Sequence, residues 1–281
     1  MIEPLLLCTD LDRTLLPNGD PQESTQAREY FRAFTAHPEV SLAYVSGRHK
    51  QLVLDAIAEF AIPEPDYVIG DVGTTIYSID NSVWTPWQAW QAEIAPDWAG
   101  YSHDSLATLF TDLHQLTPQE EEKQNTFKLS YYAPEQTDRD KLLSTMQARL
   151  TQKRIRASLI WSIDDNEHVG LLDVLPEGAT KVHAIEFLMK QKGLGRERVV
   201  YAGDSGNDLP VLSSGIQSVL VANAREDVRE EALRLAERNH NGATLYLATG
   251  GFLHMNGNYS AGILEGVQHF IPETGQLIAT P

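Results

Sequence analysis

Asp10 and Asp12 stand one residue apart at the end of an apolar run, Leu5, Leu6, Leu7 and Cys8, with Thr14 just beyond and the turn residues Pro17, Asn18 and Gly19 after it. Because both faces of the run are hydrophobic, it reads as a buried parallel strand. In an open parallel sheet, ligands bind at the carboxyl ends of the strands. Two carboxylates at such an end can share one divalent cation, although D-x-D alone equally describes an acidic turn. What tips the reading is that other stretches answer it. Ser46 closes a second strand over residues 40–45, Lys181 opens a helix, and Asp204, Asn207 and Asp208 follow a third short apolar strand over residues 198–202. Four such ends converge on one edge of a parallel sheet, where an active site is expected.

A site for a phosphate ester accounts for all four. An aspartate can attack phosphorus, giving an aspartyl-phosphate that water later hydrolyses. A neighbouring carboxylate can protonate the leaving oxygen and then take a proton from the water. Mg²⁺ is a hard cation suited to carboxylate oxygens, which fits Asp10 with Asp204, and it offsets the repulsion between acids and phosphate. Lys181 at a helix start opposes the helix dipole, which favours anions there; a bound phosphate resolves the conflict. Ser46 and the amides after it, beginning with Gly47, can donate to phosphate oxygens.

The elements that must position these groups alternate in type. Residues 23–36 repeat Ala27, Tyr30, Phe31 and Phe34 at helical spacing, and 51–60 is again helical until Pro63 and Pro65 stop it. A strand at 67–69 then runs into Gly70, Asp71, Val72, Gly73 and Thr74. Strand and helix alternating at this pitch imply right-handed crossovers and a Rossmann-like parallel sheet. Beyond it the pattern changes. Trp84, Trp87, Trp90 and Trp98 cluster with Pro86 and Pro96, two helical segments follow, and strands at 127–132 and 156–163 bracket a helix over 138–152. This predicts an inserted α+β domain over residues 82–172 with the tryptophans in its core, between two halves of an α/β domain at 1–81 and 173–281. Residues 171–175 lead back to that domain, followed by a helix over 181–191, the strand at 198–202, a strand at 219–221 and a helix of mixed charge.

Composition narrows the function classes. The 281 residues are 42% hydrophobic and 22% charged, as in an ordinary globular protein, and carry a net charge of −17 with no basic patch. That argues against nucleic acid or an anionic membrane as partner, while an anionic small molecule needs a metal or a few placed cations. Cys8 is the single cysteine, which excludes a disulfide and a cysteine zinc site, and the histidines lack His-x-x-x-His pairing. With no leader peptide and no apolar run near the length of a membrane helix, a cytoplasmic protein, monomeric or weakly homo-oligomeric, is expected.

Asp-Leu-Asp-Arg-Thr-Leu from Asp10, Ser46, Lys181 and Gly-Asp-Ser-Gly-Asn-Asp from Gly203 resemble, in order and spacing, the four motifs of the haloacid dehalogenase (HAD) superfamily. The resemblance implies that Asp10 is the nucleophile and Asp12 the general acid and base. It also implies that Ser46, Gly47 and Lys181 bind phosphate, and that Asp10, Asp12 (through its carbonyl), Asp204 and Asp208 form the metal site, with Asn207 supporting it. The inserted segment then looks like the large cap of that superfamily. Gly70–Thr74, Lys128–Tyr132, Leu172–Pro176 and Gly262–Glu265 are similar to stretches of its sucrose-phosphate phosphatase branch. This implies a Mg²⁺-dependent phosphatase of a small sugar phosphate, with sucrose 6-phosphate leading and mannosylfructose-phosphate and glycosyl-glycerate phosphates open. Arg48, Lys128, Asp165 and Asn207 are the candidate substrate contacts, with Asn166 and His168 also polar there. Two departures stand out: Arg13 occupies a slot often Asn or Gly, and Val182 follows Lys181 where Gly is common. A phosphomutase and a non-catalytic phospho-aspartate sensor are the rival readings.

Overall fold

In a computed structural model that describes residues 2–164 and 167–280, the chain forms two compact units, Met1–Pro86 with Lys181–Pro281, and Trp87–Thr180. The first segment carries β1 (Leu5–Thr9), α1 (Ala27–Thr35), β2 (Val40–Val45), α2 (Lys50–Phe60), β3 (Tyr67–Gly70), β4 (Thr75–Asp80) and β5 (Val83–Pro86). The second unit carries α3 (Gln88–Ile94), α4 (His103–Ala107), β6 (Thr117–Pro118), β7 (Leu129–Pro134), α5 (Arg139–Gln152), β8 (Ala157–Asp164) and β9 (Val169–Pro176). The last segment adds α6 (Lys181–Lys192), β10 (Val199–Gly203), α7 (Leu209–Leu212), β11 (Gln217–Leu220), α8 (Glu226–Arg238), β12 (Leu245–Leu247), α9 (Ser260–Phe270) and α10 (Gly275–Ile278).

The first unit is built on one sheet of order β12-β11-β10-β1-β2-β3-β4-β5. From β12 to β3 all neighbours are parallel, and β4 and β5 add an antiparallel edge. All five residues of β1 are buried, as a central strand covered on both faces requires. The chain winds from β1 toward β3 in one direction and from β10 toward β12 in the other, so the order reverses between β1 and β10. That is the topological switch point, where a crevice opens at the strand ends. Phe31 and Phe34 of α1 pack with Ile263, Leu264 and Val267 of α9 over one face of the sheet. Gly266 lets α9 come close, because a Cβ there would collide with Val219 of β11.

The antiparallel edge is absent from the sequence reading. Its turn, Asn81 and Ser82, has both residues left-handed (φ 48° and 63°), the geometry that folds a two-residue hairpin, but Asn-Ser is a weaker turn signal than Asn-Gly. Trp84 lies on that hairpin and packs on Tyr77, with ring centroids 5.7 Å apart. It therefore joins the core of the first unit, unlike the expected tryptophan core of the insert.

The second unit pairs its strands antiparallel in the order β6-β7-β9-β8. Leu142, Met146 and Leu150, four residues apart on α5, bury against it, and Asp138 caps that helix by accepting from the Lys141 amide. Trp98 is fully buried here and meets Phe127 edge-on. Residues 171–175 were expected to lead out of this unit. Instead β9 pairs along its whole length with β8, so the units divide at Pro86/Trp87 and Thr180/Lys181, not at 81/82 and 172/173. Among the described residues, no helix is long and apolar enough to cross a membrane.

Candidate active site

Asp10 follows β1 and Asp204 follows β10, on either side of the switch point. The Asp10 amide donates to the Ala202 carbonyl at 2.9 Å, carrying the parallel ladder one step past the strand and fixing where the side chain leaves. After Asp204 the chain turns back so that Asp208 returns beneath it. Gly203 permits this approach, since a Cβ there would lie 2.6 Å from the Asp208 side chain. One Asp208 oxygen accepts from the Asp204 and Ser205 amides and the Ser205 hydroxyl, each at 3.0 Å. The other accepts from Tyr201 Oη and, at 2.8 Å, from Lys181 Nζ. Lys181, the first residue of α6, also donates to Asp10 at 3.1 Å. Thr14 Oγ1 donates to Asp204 at 2.9 Å. Carboxylate oxygens of Asp10, Asp204 and Asp208 all fall within 4.8 Å of one another.

Three buried carboxylates thus face the Lys181 ammonium and, from the rim, the half-exposed Arg13 guanidinium. Their ionisation follows the donors each one has. Burial alone would raise the Asp208 carboxyl, but the Lys181 charge and bond, with Tyr201 and the Ser205 amide, hold it below the usual range. Asp10 has fewer donors: burial raises it, the Lys181 charge pulls it back, and the neighbouring Asp208 and Asp204 charges raise it again, leaving it elevated. Asp204 is pushed up to about 6, by burial first and by Asp208 against the opposing Thr14 and Arg13. Burial would lower Lys181, yet the Asp10 and Asp208 charges overcome it and keep the ammonium protonated. Negative charge in excess of its partners is the electrostatic condition of a site built for a cation.

Asp12 points elsewhere. Its carboxylate forms a two-pronged pair with Arg48, from Nε at 2.8 Å and Nη2 at 2.6 Å, and accepts from Asn18 Nδ2 at 2.7 Å. Partial burial works to raise its pKa, but the Arg48 bonds and charge, with Asn18, bring it below the usual carboxylate value of 3.8. Ser46 is buried, and its Oγ accepts from the Arg48 amide at 3.2 Å. A depressed carboxyl contributes stability that is full above its unfolded pKa and disappears as the pH falls through the native one. Arg48→Gln is therefore expected to lower stability at neutral pH, with the gap to the parent chain narrowing below about pH 4. Urea midpoints of both proteins at pH 7 and in the acid range measure it; a gap independent of pH would show that the pair is electrostatically idle.

The sequence profile of sucrose-6F-phosphate phosphohydrolases matches residues 3–271. The chain belongs to this family. It is thus a HAD phosphatase of the sucrose-phosphatase branch, acting on a glycosyl phosphate. It is similar to a HAD-like hydrolase of Nitrosococcus oceani, 53% identical over 98% of this chain and 74% of the relative. It is also similar to a mannosylfructose-phosphate phosphatase of Agrobacterium fabrum, 29% identical over 96% of this chain and 98% of the relative. Among solved structures, the sucrose-phosphatase of Synechocystis in complex with sucrose and phosphate shares the fold, with a TM-score of 0.69 at 24% identity over 96% of this chain and 98% of that one.

In this HAD phosphatase the residues expected from sequence are not all brought together. Asp10, Lys181, Asp204 and Asp208 meet in one cluster, and Asp12, Ser46 and Arg48 are joined in a second set of bonds. Gly47 and Asn207 are exposed at the strand-end loops. Lys128 is in the second unit, buried, donating to the Lys123 carbonyl at 3.1 Å and lying 3.9 Å from Asp173. Asp165 and Asn166 lie outside the described residues, and His168 is exposed. The acid cluster fits a divalent cation: its donors are hard oxygens, and two of its three carboxyls are raised, by burial first and then by the neighbouring acid charges. Sequence reasoning missed Tyr201 and Asn223. Tyr201 hides in an apolar strand with nothing to mark its hydroxyl as a partner of Asp208. Asn223 is an ordinary polar residue after a strand in the sequence, yet its Nδ2 donates to the Arg13 carbonyl at 2.6 Å.

Proposed function

We propose that the chain hydrolyses sucrose 6-phosphate to sucrose and inorganic phosphate through an aspartyl-phosphate on Asp10, in the cytoplasm and with Mg²⁺. The observation that carries the chemistry is the placement of Asp10 at the switch point, one oxygen held by Lys181, beside a buried acid cluster short of positive charge. Asp10, Asp204 and the Asp12 carbonyl would hold the Mg²⁺, with Asp208 steadying the loop and the lysine. When bound, the ion would cancel the repulsion between these acids and a phosphate dianion.

The remaining roles belong to side chains. An Asp10 carboxylate oxygen attacks phosphorus, and the bond from phosphorus to the sugar oxygen breaks as Asp12 gives that oxygen a proton. Water then attacks the phosphorus of the aspartyl-phosphate, Asp12 takes a proton from it, and Asp10 is regenerated as phosphate leaves. Lys181, fixed by Asp208, and the Ser46 hydroxyl, with the Gly47 amide, offer donors to the phosphate oxygens. To donate that first proton Asp12 has to be protonated when substrate binds, and so out of the Arg48 pair that otherwise holds it ionised, which leaves Arg48 free to meet the substrate.

The second unit offers a surface suited to a sugar. There a cleft of about 630 Å³ has Tyr132, Val169 and Leu171 among its lining, with Glu120 and Lys123 beside them. Apolar surface for the carbon face of a sugar beside charged groups for its hydroxyls is the composition such a ligand needs. The test is phosphate release with Mg²⁺ and with EDTA, on sucrose 6-phosphate, mannosylfructose phosphate, a glycosyl-glycerate phosphate, hexose monophosphates and phosphoglycolate. The expected result is metal-dependent release with the highest kcat/KM for sucrose 6-phosphate. Preference for another glycosyl phosphate overturns the substrate and keeps the chemistry; equal release in EDTA overturns the metal.

A further inference from the structure

We propose that Arg13 is the resident counter-cation of the metal-binding acids, and that it sets how tightly this chain takes a divalent cation. The inference rests on the metal reading above. Arg13 Nε lies 3.5 Å from Asp204 Oδ2, while Thr14 Oγ1 donates to Asp204 Oδ1 at 2.9 Å. One oxygen of this acid thus accepts a hydrogen bond and the other has a guanidinium within ion-pair range before any ion arrives. A divalent cation has to share Asp204 with a guanidinium.

Arg13 is not an arginine that merely drifts over an acid. Its backbone is left-handed (φ 56°), a conformation side chains disfavour, and bonds on both sides keep it there. Its amide donates to Asn18 Oδ1 at 2.8 Å and its carbonyl accepts from Asn223 Nδ2 at 2.6 Å. Asn223 in turn accepts from the Tyr259 amide at 2.9 Å, and Tyr259 Oη donates to the Gly19 carbonyl at 2.6 Å. Arg13 Nη2 reaches the Asp20 carbonyl at 3.4 Å, and a Cβ on Gly19 would collide with the guanidinium. The loop after β1, the turn after β11 and the residue just before α9 thus converge on this one residue.

The charges give the consequence. With all three ionised, as binding a cation requires, Asp10, Asp204 and Asp208 carry three negative charges against one on Lys181; Arg13 brings the balance from two negative to one. A divalent cation then leaves the site positive by one with Arg13 present and neutral without it. Arg13 therefore costs cation affinity and leaves a net positive site for a phosphate. It also holds Asp204 in place when no metal is bound.

Calorimetric titration of Mg²⁺ into EDTA-stripped protein tests this without turnover. Arg13→Gln is expected to bind Mg²⁺ about tenfold tighter, as removal of a nearby unit charge predicts, while Arg13→Lys stays close to the parent. The stripped Arg13→Gln protein is expected to melt lower and to gain a larger Mg²⁺-induced shift in Tm. Should Arg13→Gln fail to fold, Gly19→Ala displaces the guanidinium without removing it and is expected to tighten Mg²⁺ in the same direction. Mg²⁺ affinity unchanged or weaker in these variants overturns the role of Arg13 alone. Absence of any Mg²⁺ binding by the parent chain overturns the metal reading and this inference with it.

Discussion

Asp10→Asn is expected to reduce phosphate release by about 10⁴-fold or more, as loss of an attacking group does, while leaving the fold intact. The side chain is isosteric, so the ladder bond from the residue 10 amide to Ala202 is kept, and the amide oxygen can still accept from Lys181. What is lost is the anionic oxygen that attacks phosphorus. Neutralising one of three buried carboxyls, and the one with the weakest support among Asp10 and Asp208, also relieves their mutual repulsion. The metal-free variant should therefore unfold at the same urea concentration as the parent or higher. A variant that keeps more than a few per cent of the parent rate would remove Asp10 from its role, whatever its stability.

Lys181→Met has the opposite signature, losing both activity and stability. The Lys181 side chain is 13% exposed and its ammonium is shared by Asp10 and Asp208, so its removal leaves two buried carboxylates without their main counter-charge. Breaking such a pair from one side costs about 3 kcal/mol, read as a fall in urea midpoint at constant slope. The native Lys181 is raised above its usual value, so its contribution is complete below about pH 10 and fades only as pH rises past that point. Neutral pH is therefore the right place to measure. Mg²⁺ should restore part of the loss, because it supplies positive charge to the same oxygens. A stability equal to the parent in EDTA would mean that Asp10 and Asp208 are not jointly ionised around this lysine. Activity should fall by about 10²-fold or more, as for removal of one donor to a developing anion.

These two variants separate binding geometry from chemistry. Asp10→Asn removes the reactive oxygen and spares the cluster; Lys181→Met dismantles the cluster around a nucleophile that remains. The Arg48 and Arg13 variants then address the two cations outside it, one paired with Asp12 and the other with Asp204.

The sequence by itself determined the α/β class, the identity of the strands that end in acids, and that Asp10, Lys181, Asp204 and Asp208 meet at one edge of the sheet. It could do so because a buried parallel strand must be apolar on both faces, so the first charged residue after it marks its functional end. It placed Trp84 and residues 173–176 in the wrong unit, because neither a short hairpin with an Asn-Ser turn nor a strand of mixed burial announces which sheet will claim it. Pairing is decided by long-range hydrogen bonds, not by local pattern. Only the tertiary structure showed that Asp12 is tied to Arg48, that Tyr201 donates to Asp208 from inside a core strand, and that Asn223 and Tyr259 fix Arg13 over Asp204. Each of these contacts joins residues whose types are ordinary for their own segment and which meet only when separate strand ends and loops are brought together at one edge of the sheet. Composition and spacing name the acids; the charges that surround each of them, and hence its ionisation, come from the fold.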